Sequence, residues 1–240
     1  MAATPDKVVY RRVRRPDAAL VARAARLLVS DLYEAMPASE RDALLMKPEI
    51  RPLVLGQRIA GPAVTARCPP RDNLMMHKAL LLAQRGDVLV VASAKPSGAQ
   101  WGYLAAVYAE RQALAGVVVD GCIRDADELR RRNYPVWSSL ISPAHPDKQG
   151  AGAVNVPIEC GGVKVYPGDL VCADADGVLV IRRQALHDVI ERAEKRTAQE
   201  SEAVAAIEAG KSLFELHDLG AAFARSGVAE IDGYWDGETN

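Results

Sequence analysis

The chain has 240 residues, with 30 Lys and Arg against 31 Asp and Glu, so its formal net charge is -1. This length suits one large α/β domain or two small ones, and the near-neutral charge gives no bias toward nucleic acid. No apolar run reaches 18 residues, which argues against a membrane span. Four cysteines lack zinc or CxxC spacing, and no apolar segment follows the basic N-terminus, so we expect a cytoplasmic protein with reduced thiols.

The first half of the chain alternates between predicted helices and short apolar strands. Five basic residues lie within residues 7–15, and we expect a solvated or interface-bound arm over 1–16. Apolar residues at three- and four-residue spacing predict a helix over 17–36. Strands are then predicted at 58–68, 87–92, 116–120 and 136–141, and helices at 73–84, 102–115 and 125–132. This alternation predicts an α/β fold with a layered βαβ-type core.

The second half has a different character. Residues 142–156 are aperiodic and long for a plain connection, which is typical of functional loops. Residues 160–181 carry PGD and DADG turns between apolar runs, which predicts β-hairpins. Residues 184–209 form a long charged helix with too few apolar residues for a core helix, so we expect it outside or against another subunit. We therefore predict a single α/β domain over 17–210, followed by a C-terminal helix and tail over 211–240.

The segment after the strand at 116–120 is the best candidate for an active site. Ligands of α/β sheets bind at the carboxyl ends of strands, where Arg124 and Asp125 fall. Asp125 at a helix N-terminus can bind a divalent cation, and Arg124 offers a planar fork to a carboxylate. Asp125 with Glu128 three residues later also matches a capping box, which needs no function. The local pattern slightly favours the cap.

Other polar residues have simpler structural interpretations. Asp174 and Asp176 resemble a metal cluster, but DADG between apolar runs indicates a hairpin turn. His77 is interpreted as structural, and Lys148 alone as a solvated loop lysine. No phosphate loop, nucleophile elbow or HExxH motif occurs, so a Ser/His/Asp hydrolase has no support.

Several longer motifs together resemble one known family. They are GPAVTA (61–66), the Asp72-Asn73 helix start with His77, GDVLVV (86–91), VVDGCIRDADEL (118–129) and VNVPIECGGVKVYPGDLVCADADGVLVI (154–181). The sequence, over about residues 29–210, resembles the class II pyruvate aldolases that cleave 4-hydroxy-4-methyl-2-oxoglutarate and 4-carboxy-4-hydroxy-2-oxoadipate. The same fold includes the regulator of ribonuclease E activity A, so the motifs are more specific for the fold than for the activity.

The resemblance implies roles for particular residues. Arg124, Asp125 and Glu128 match the family's Arg-Asp motif, in which the Asp binds magnesium or manganese and the Arg binds the pyruvate end of the substrate. The family's substrate-binding loop lysine falls on Lys148. A metal-proximal glutamate, contributed by the neighbouring subunit, falls on Glu200.

The same resemblance places a carboxylate-binding turn at the start of the helix over 102–115. Gly102 matches the family's glycine, and the backbone amides that hold the substrate carboxylate belong to Leu104 and Ala105. The acidic residue expected after the glycine is replaced by Tyr103. A neutral phenol cannot supply the negative charge that helps hold a hydrated cation.

The implied activity is metal-assisted carbon–carbon cleavage of a 4-hydroxy-2-oxo acid to release pyruvate, with oxaloacetate decarboxylation alongside. The resemblance further implies a homotrimer or a dimer of trimers with the site between subunits, and neither nucleic acid nor membrane as a partner. Two alternatives stay open. One is a related lyase or hydratase on another oxo acid, with Tyr103 in the site. The other is a non-catalytic regulator that binds ribonuclease E.

Overall fold

The structure, a computed structural model, describes residues 7–93 and 97–235. They form two compact units, divided between Glu194 and Lys195. The described helices are α1 (Ala18–Ala24), α2 (Val29–Ala35), α3 (Leu74–Leu82), α4 (Tyr103–Arg111), α5 (Ala126–Arg132), α6 (Leu186–Glu208), α7 (Leu213–Leu216) and α8 (Gly220–Ser226), with a 3-10 turn at Arg41–Leu44. Among the described helices, none combines the length and apolar character that a membrane crossing requires.

The strands of the first unit build one large sheet and a separate hairpin. They are β1 (Val8–Val9), β2 (Arg51–Pro52), β3 (Ile59–Cys68), β4 (Val88–Ser93), β5 (Ala99–Trp101), β6 (Gly116–Ile123), β7 (Val136–Ile141), β8 (Ala153–Val154), β9 (Ile158–Cys160), β10 (Val163–Val165), β11 (Leu170–Ala173) and β12 (Val178–Ile181). The main path of the sheet runs β1-β8-β3-β4-β6-β7-β2, and β3, β4, β6 and β7 are mutually parallel. Helices connect these parallel strands, which confirms the predicted α/β class with a βαβ-type core.

Apolar layers cover both faces of the parallel strands. In β4, Val88 and Val90 pack into one core cluster and Leu89 and Val91 into the other. All four side chains are fully buried. Successive strand residues point to opposite faces, so a run of consecutive apolar residues is what a doubly covered strand requires. This explains why the strands were predictable from short apolar runs without alternation.

The predicted hairpins of the second half are present. β9 pairs with β10 and β11 with β12, both antiparallel, and β11 also pairs with β3. The two Gly-Asp pairs before β4 and β11 share their turn chemistry. Gly86 and Gly168 have positive φ, and Asp87 and Asp169 each accept the backbone N–H three residues earlier. Each carboxylate also pairs with an arginine, Arg15 or Arg182 respectively.

The predicted helix over 17–36 is wrong as one continuous element. The chain leaves the helical conformation after Ala25, and Leu28 is extended before α2 begins. The reason is a distant side chain: the buried carboxylate of Asp174 accepts the N–H of Val29 at 2.9 Å. A free N–H at the start of a new helix is thereby satisfied, which a continuous helix would not need.

The N-terminal arm is also more ordered than predicted. Over residues 7–16 it is not a solvated tail, because β1 pairs in parallel with β8 and Tyr10 donates its N–H to the carbonyl of Val154. Arg15 then forms a two-bond ion pair with the fully buried Asp87, at 2.8 and 2.7 Å. The arm is thus fixed to the sheet at two points.

The structure also corrects the expectation that the long charged helix lies outside the core. Its first two turns bury Leu186, Val189, Ile190 and Ala193 in the core of the first unit. This is the i, i+3, i+4, i+7 spacing of an amphipathic helix, so the start of α6 is a core helix despite its charged composition. The later residues of α6, from Lys195 onward, belong to the second unit and bury no side chain.

The four cysteines are buried, as predicted, and no disulfide joins them. Burial raises the pKa of Cys68 and of Cys172 to about 12. The thiolate is the reactive form of cysteine, so these thiols are poor nucleophiles and poor metal ligands.

Candidate functional site

The residues singled out after β6 line a small pocket at the carboxyl ends of the parallel strands. Its volume is about 150 Å³. The start of α3, the end of β5, the start of α4, the β6–α5 connection and the loop after β7 all contribute. The lining residues are Asn73, Met76, His77, Ala99, Trp101, Gly102, Leu104, Ala105, Arg124, Asp125, Pro146 and Lys148. Six of them, namely Gly102, Leu104, Ala105, Arg124, Asp125 and Lys148, are site residues predicted from the sequence.

Asp125 occupies a conformation that a structural cap does not need. Its backbone is left-handed, with φ 57° and ψ 39°, and its side chain makes no capping bond to α5. Glu128 pairs instead with Arg131. The capping-box interpretation is therefore wrong. Such a backbone costs on the order of 1–3 kcal/mol outside glycine and is frequent at functional sites.

The carboxylate of Asp125 reaches the start of the neighbouring helix α4. Its Oδ2 atom accepts the backbone N–H of Tyr103 at 3.1 Å. The next two N–H groups of this first turn belong to Leu104 and Ala105, which line the pocket. The first N–H groups of a helix have no intrahelical acceptor and attract negative charge. The turn thus presents donors on the same side as Asp125.

Gly102 is required by this close approach. A Cβ atom at residue 102 would lie 2.8 Å from Asp125 Oδ2 and 3.1 Å from Arg124 Cγ. Its backbone is extended, with φ -166°, so the requirement is space and not conformational freedom. Any larger residue would push the carboxylate or the arginine out of position.

Arg124 is held beside Asp125 at the mouth of the pocket. Its backbone N–H donates to the carbonyl of Trp101 at 3.0 Å, which fixes the chain between β6 and α5. Its Nε atom lies 3.6 Å from Asp125 Oδ2, and both side chains are more than one-third exposed. An exposed pair of this kind adds little stability, and the guanidinium keeps further donors for a ligand.

The loop that carries Lys148 is anchored by a buried aspartate. Asp72 Oδ2 accepts the N–H groups of Gln149 and Gly150 at 2.6 and 2.7 Å, while its Oδ1 accepts that of Leu74 at 2.8 Å. Burial opposes ionisation, but these three N–H groups and the charge of Lys148 together lower the pKa of Asp72. Asp72 therefore joins the start of α3 to the lysine loop.

His77 and Asn73 bring further polar groups to the pocket from α3. Partial desolvation, followed by the charge of Lys148, lowers the pKa of His77, although Asp72 opposes the shift. The ring is therefore neutral near pH 7. The Oδ1 atom of Asn73 is buried and makes no hydrogen bond within the described residues. The sequence pattern favoured a structural His77, and it named Asn73 only within the helix-start motif, not as a site residue.

Tyr103 contacts the site through its backbone N–H, which Asp125 accepts, and not through its ring. The guanidinium of Arg132 lies over the ring, 5.7 Å from its centroid, and its Nη1 atom is 3.5 Å from the phenol oxygen. Tyr103 is absent from the pocket lining. Glu200 is an exposed residue of α6 in the second unit, and its predicted role stays a prediction.

Within residues 7–93 and 97–235, no group of three or more His, Cys, Asp or Glu side chains is placed to hold a metal. One protein carboxylate is nevertheless compatible with Mg²⁺, which usually keeps several waters and takes one or two carboxylates. Asp125 stands at the mouth of the pocket with only one of its oxygens bonded to the Tyr103 N–H. The donor set therefore fits a largely hydrated divalent ion.

The fold and the pocket define an α/β protein with a small cationic site at its strand ends. A family model described as "RraA-like: Aldolase/RraA" matches residues 29–180, so the chain belongs to this family. A Halalkalibacterium halodurans protein named "Putative 4-hydroxy-4-methyl-2-oxoglutarate aldolase" is 39% identical over 152 residues, covering 63% of this chain and 72% of that protein.

Two solved structures support the fold assignment. A Streptomyces coelicolor protein, described as RraAS2, an unusual member of the RNase ES inhibitor RraA protein family, is 31% identical with a TM-score of 0.70. The match covers 80% of this chain and 98% of that one. An uncharacterized protein from Pseudomonas syringae pv. tomato is 25% identical with a TM-score of 0.74, covering 84% and 98%. These matches confirm the predicted fold and family.

Proposed function

We propose that this protein is a divalent-metal-dependent lyase. It cleaves a carbon–carbon bond of a 4-hydroxy-2-oxo acid to release pyruvate, and it decarboxylates oxaloacetate as a side reaction. The observation that carries the proposal is the strained Asp125, held between Arg124 and the start of α4 in one pocket. The name of the Halalkalibacterium relative supports the same reaction class.

The pocket suits a small acid with more than one carboxylate. Arg124 offers paired donors, the first turn of α4 offers the N–H groups of Leu104 and Ala105, and Lys148 adds a second cation. Its volume of about 150 Å³ is below the range of about 300–1,000 Å³ that suits drug-sized ligands. Chains of a few carbons are therefore favoured over larger substrates.

The metal would be held by Asp125, with Glu200 of the partner subunit near its water shell. When bound, magnesium or manganese supplies Lewis-acid stabilisation of the negative charge that forms on the 2-oxo oxygen. Arg124 adds positive charge on the same oxygen and orients the adjacent carboxylate. The α4 N–H groups fix that carboxylate, so the reacting bond is held in one orientation.

In this proposal, cleavage begins with loss of the proton on the 4-hydroxyl group to a water held by Glu200 of the partner subunit. The C3–C4 bond then breaks, C4 becomes a carbonyl, and the electron pair remains on C3 as the enolate of pyruvate. Arg124 stabilises this enolate until C3 takes up a proton. His77 is neutral near pH 7 and lines the pocket, so its ring can exchange a proton with the reacting groups. Oxaloacetate reaches the same enolate by losing carbon dioxide.

The direct test is pyruvate release from 4-hydroxy-4-methyl-2-oxoglutarate and from oxaloacetate by the full chain. Each reaction is measured after treatment with EDTA, and again after adding back magnesium or manganese. We expect release that EDTA abolishes and either metal restores. Absence of metal-dependent pyruvate release from both acids would contradict the proposal.

We further propose a homo-oligomer, trimeric or a dimer of trimers, with the site between subunits. Supporting this, the second unit buries no described side chain yet exposes several large apolar ones, including Phe214, Phe223 and Trp235. Co-expression of Asp125→Asn chains with Glu200→Gln chains tests the shared site. Random mixing leaves about a quarter of the sites intact, so activity returns although each variant alone is inactive. A mixture as inactive as its parents argues against a shared site.

One alternative is a regulator that binds ribonuclease E without catalysis. The description of the Streptomyces relative favours it, as does Tyr103 at a position where the aldolases have an acid. Capture of ribonuclease E by the immobilised full chain, with no pyruvate release from either acid, supports this alternative. Pyruvate release without capture supports the lyase.

Another alternative is a related lyase or hydratase with Tyr103 as an acid or base. The contact between its phenol and Arg132 argues for a role outside the reaction. We expect Tyr103→Phe to keep turnover within about twofold of the unsubstituted chain. A loss of turnover with an altered pH profile would support the alternative.

A further inference from the structure

A second and larger pocket lies where the N-terminal arm meets the turns before β11 and after β12. Its volume is about 620 Å³. The residues that matter for its chemistry are Tyr10, Arg12, Arg14, Asn155, Arg182 and Arg183, which we call the arginine pocket. None of its lining residues is shared with the candidate active site. An inference about it therefore does not depend on the proposed function.

The arginine pocket has an excess of positive charge. Its lining contains four arginines and one carboxylate, that of Asp169, which leaves three positive charges. Asp169 is buried and already pairs with Arg182 while accepting the N–H of Tyr166. Elsewhere in the described ranges, no carboxylate forms an ion pair with Arg12, Arg14 or Arg183. Like charges gathered without counter-charges favour an anionic ligand.

The backbone fixes this arrangement. β1 pairs with β8, and the side-chain amide of Asn155 donates to the carbonyl of Tyr10 at 2.8 Å. Gly168 packs against the arm so closely that a Cβ atom there would lie 2.0 Å from the carbonyl oxygen of Arg14. Arg12 and Arg14 of the arm line the pocket, whereas Arg11 of the same arm does not.

Asn155 provides an independent indication of a ligand. It is only 6% exposed, lines the pocket, and holds a left-handed backbone with φ 56°. Its Oδ1 atom is buried and has no hydrogen-bond partner in the part of the chain that the structure describes. Buried polar atoms are normally satisfied, so a ligand that donates a hydrogen bond here would complete the site.

We propose that the arginine pocket binds a phosphate ester of nucleotide size. Arg12, Arg14 and Arg183 bind the phosphate, because guanidinium groups match its geometry with paired bonds. A ligand hydroxyl or amino group donates to Asn155 Oδ1. The exposed ring of Tyr10 offers a face to a base. The volume exceeds what inorganic phosphate fills and falls within the range of small-molecule sites.

Isothermal titration calorimetry on the full chain tests the proposal. The probes are ADP, AMP, ribose 5-phosphate, inorganic phosphate and adenosine. We expect one saturable site per chain for at least one phosphate ester, with binding weaker by about tenfold or more for inorganic phosphate and for adenosine. ADP and AMP binding more tightly than ribose 5-phosphate assigns a nucleotide. Equal binding of the three esters assigns a sugar phosphate. This result supports binding in the arginine pocket, with no contribution from the Tyr10 ring.

Substitutions in and beside the arginine pocket test whether the ligand binds there. Arg12→Gln with Arg14→Gln, and separately Arg183→Gln, are expected to weaken binding by about tenfold or more, because each removes charge-assisted bonds. Asn155→Asp keeps an acceptor for the ligand but loses the amide that donates to the Tyr10 carbonyl, so it weakens binding by releasing the arm. Arg11→Gln removes the same charge from the same arm and keeps the affinity within about twofold. Arg183→Gln leaves the arm untouched, so it reports on the pocket even if the arm variants unfold.

Arg124→Gln separates this site from the candidate active site, and it leaves ester binding unchanged. Binding that is lost in Arg124→Gln but kept in Arg183→Gln would place the ligand at the active site and overturn the proposal. No saturable binding of any ester, or equal weakening by Arg11→Gln, would overturn it as well.

Discussion

Two aspartates follow strands of the same sheet and have opposite surroundings. Asp174, after β11, is 6% exposed, and its carboxylate accepts the N–H groups of Val29 and Asp176, both at 2.9 Å. Asp125, after β6, has a side chain 38% exposed whose carboxylate accepts the single N–H of Tyr103. Both lie in short acidic sequences that resemble metal ligands.

The difference shows how a carboxylate is kept for a ligand. Asp174 has both oxygens bonded to backbone N–H groups, so it closes a turn and begins α2. Asp125 keeps one carboxylate oxygen without a backbone N–H and is open to solvent. Its left-handed backbone holds it at the mouth of a pocket. The number of backbone donors around each carboxylate separates a structural aspartate from a candidate ligand, and four substitutions test this contrast.

The largest expected effect is that of Asp125→Asn. The amide keeps the size but loses the charge that would hold the metal, so kcat/KM for pyruvate release falls by about 1,000-fold, which corresponds to about 4 kcal/mol. The melting temperature stays close to that of the unsubstituted chain, because no capping bond is lost. Asp127→Asn, on the exposed surface of α5, is the matched control and keeps activity. Equal activity of both variants would contradict the assignment of Asp125.

Gly102→Ala tests the close approach that positions Asp125. The added methyl would meet Asp125 Oδ2 at 2.8 Å and shift the carboxylate or Arg124. A displacement of about 1 Å in a reacting constellation costs roughly 100-fold, so kcat falls by that order. Gly220→Ala, where a Cβ atom meets nothing within 4 Å, controls for the substitution itself. Full activity of Gly102→Ala would show that the spacing at the pocket is not critical.

Much of the fold was predictable from local sequence, since the buried strands are apolar runs and the turns carry Gly-Asp pairs. The breaks that were missed depend on distant contacts. α1 and α2 separate because Asp174, 145 residues away in sequence, satisfies the N–H of Val29. The arm is ordered because β1 pairs with β8 and Arg15 reaches Asp87. The spacing of apolar residues along the chain does not reveal such distant partners.

Asp174→Ala is expected to lower the stability of the fold without changing the rate of the reaction. The buried N–H of Val29 and the partly buried N–H of Asp176 lose their acceptor, so the free energy of unfolding falls by about 2 kcal/mol. Chemical denaturation measures this fall, and kcat per folded molecule is unchanged. Asp176→Ala, on the exposed side of the same turn, stays close to the unsubstituted chain. A kcat loss in Asp174→Ala as large as that of Asp125→Asn would remove the contrast between the two aspartates.

The site was less predictable than the fold, and the reasons are again tertiary. Arg124 and Asp125 were named from their positions after a strand and Lys148 from the family resemblance, and the structure brings all three to one pocket. The direction of the Tyr103 ring depends on Arg132, on the neighbouring helix. The anchoring of the Lys148 loop by Asp72 depends on two N–H groups more than 70 residues away in sequence. Neither contact can be recognised from the residues that are adjacent in the sequence.

Asp72 is a third kind of aspartate, buried and fully bonded yet connected to the site. Asp72→Asn replaces one acceptor oxygen by a donor amide, which repels the N–H of Leu74 or those of Gln149 and Gly150. The Lys148 loop then loses its anchor. We expect KM to rise about tenfold with kcat within about twofold, because Lys148 is proposed to bind substrate and not to react. Asp147→Asn, exposed in the same loop, is the control.

The pH dependence of stability distinguishes this anchor from an indirect effect. The pKa of Asp72 is lowered in the folded chain, so its contribution to stability is complete above the unfolded value of about 3.9 and is lost as the pH falls through the lower folded value. The gap in melting temperature between the unsubstituted chain and Asp72→Asn is therefore constant from pH 7 to pH 5 and begins to narrow below about pH 4. Asp147→Asn shows no such narrowing. A gap that does not narrow as the pH falls further below about pH 4 would mean that the ionised carboxylate of Asp72 is not what holds the lysine loop.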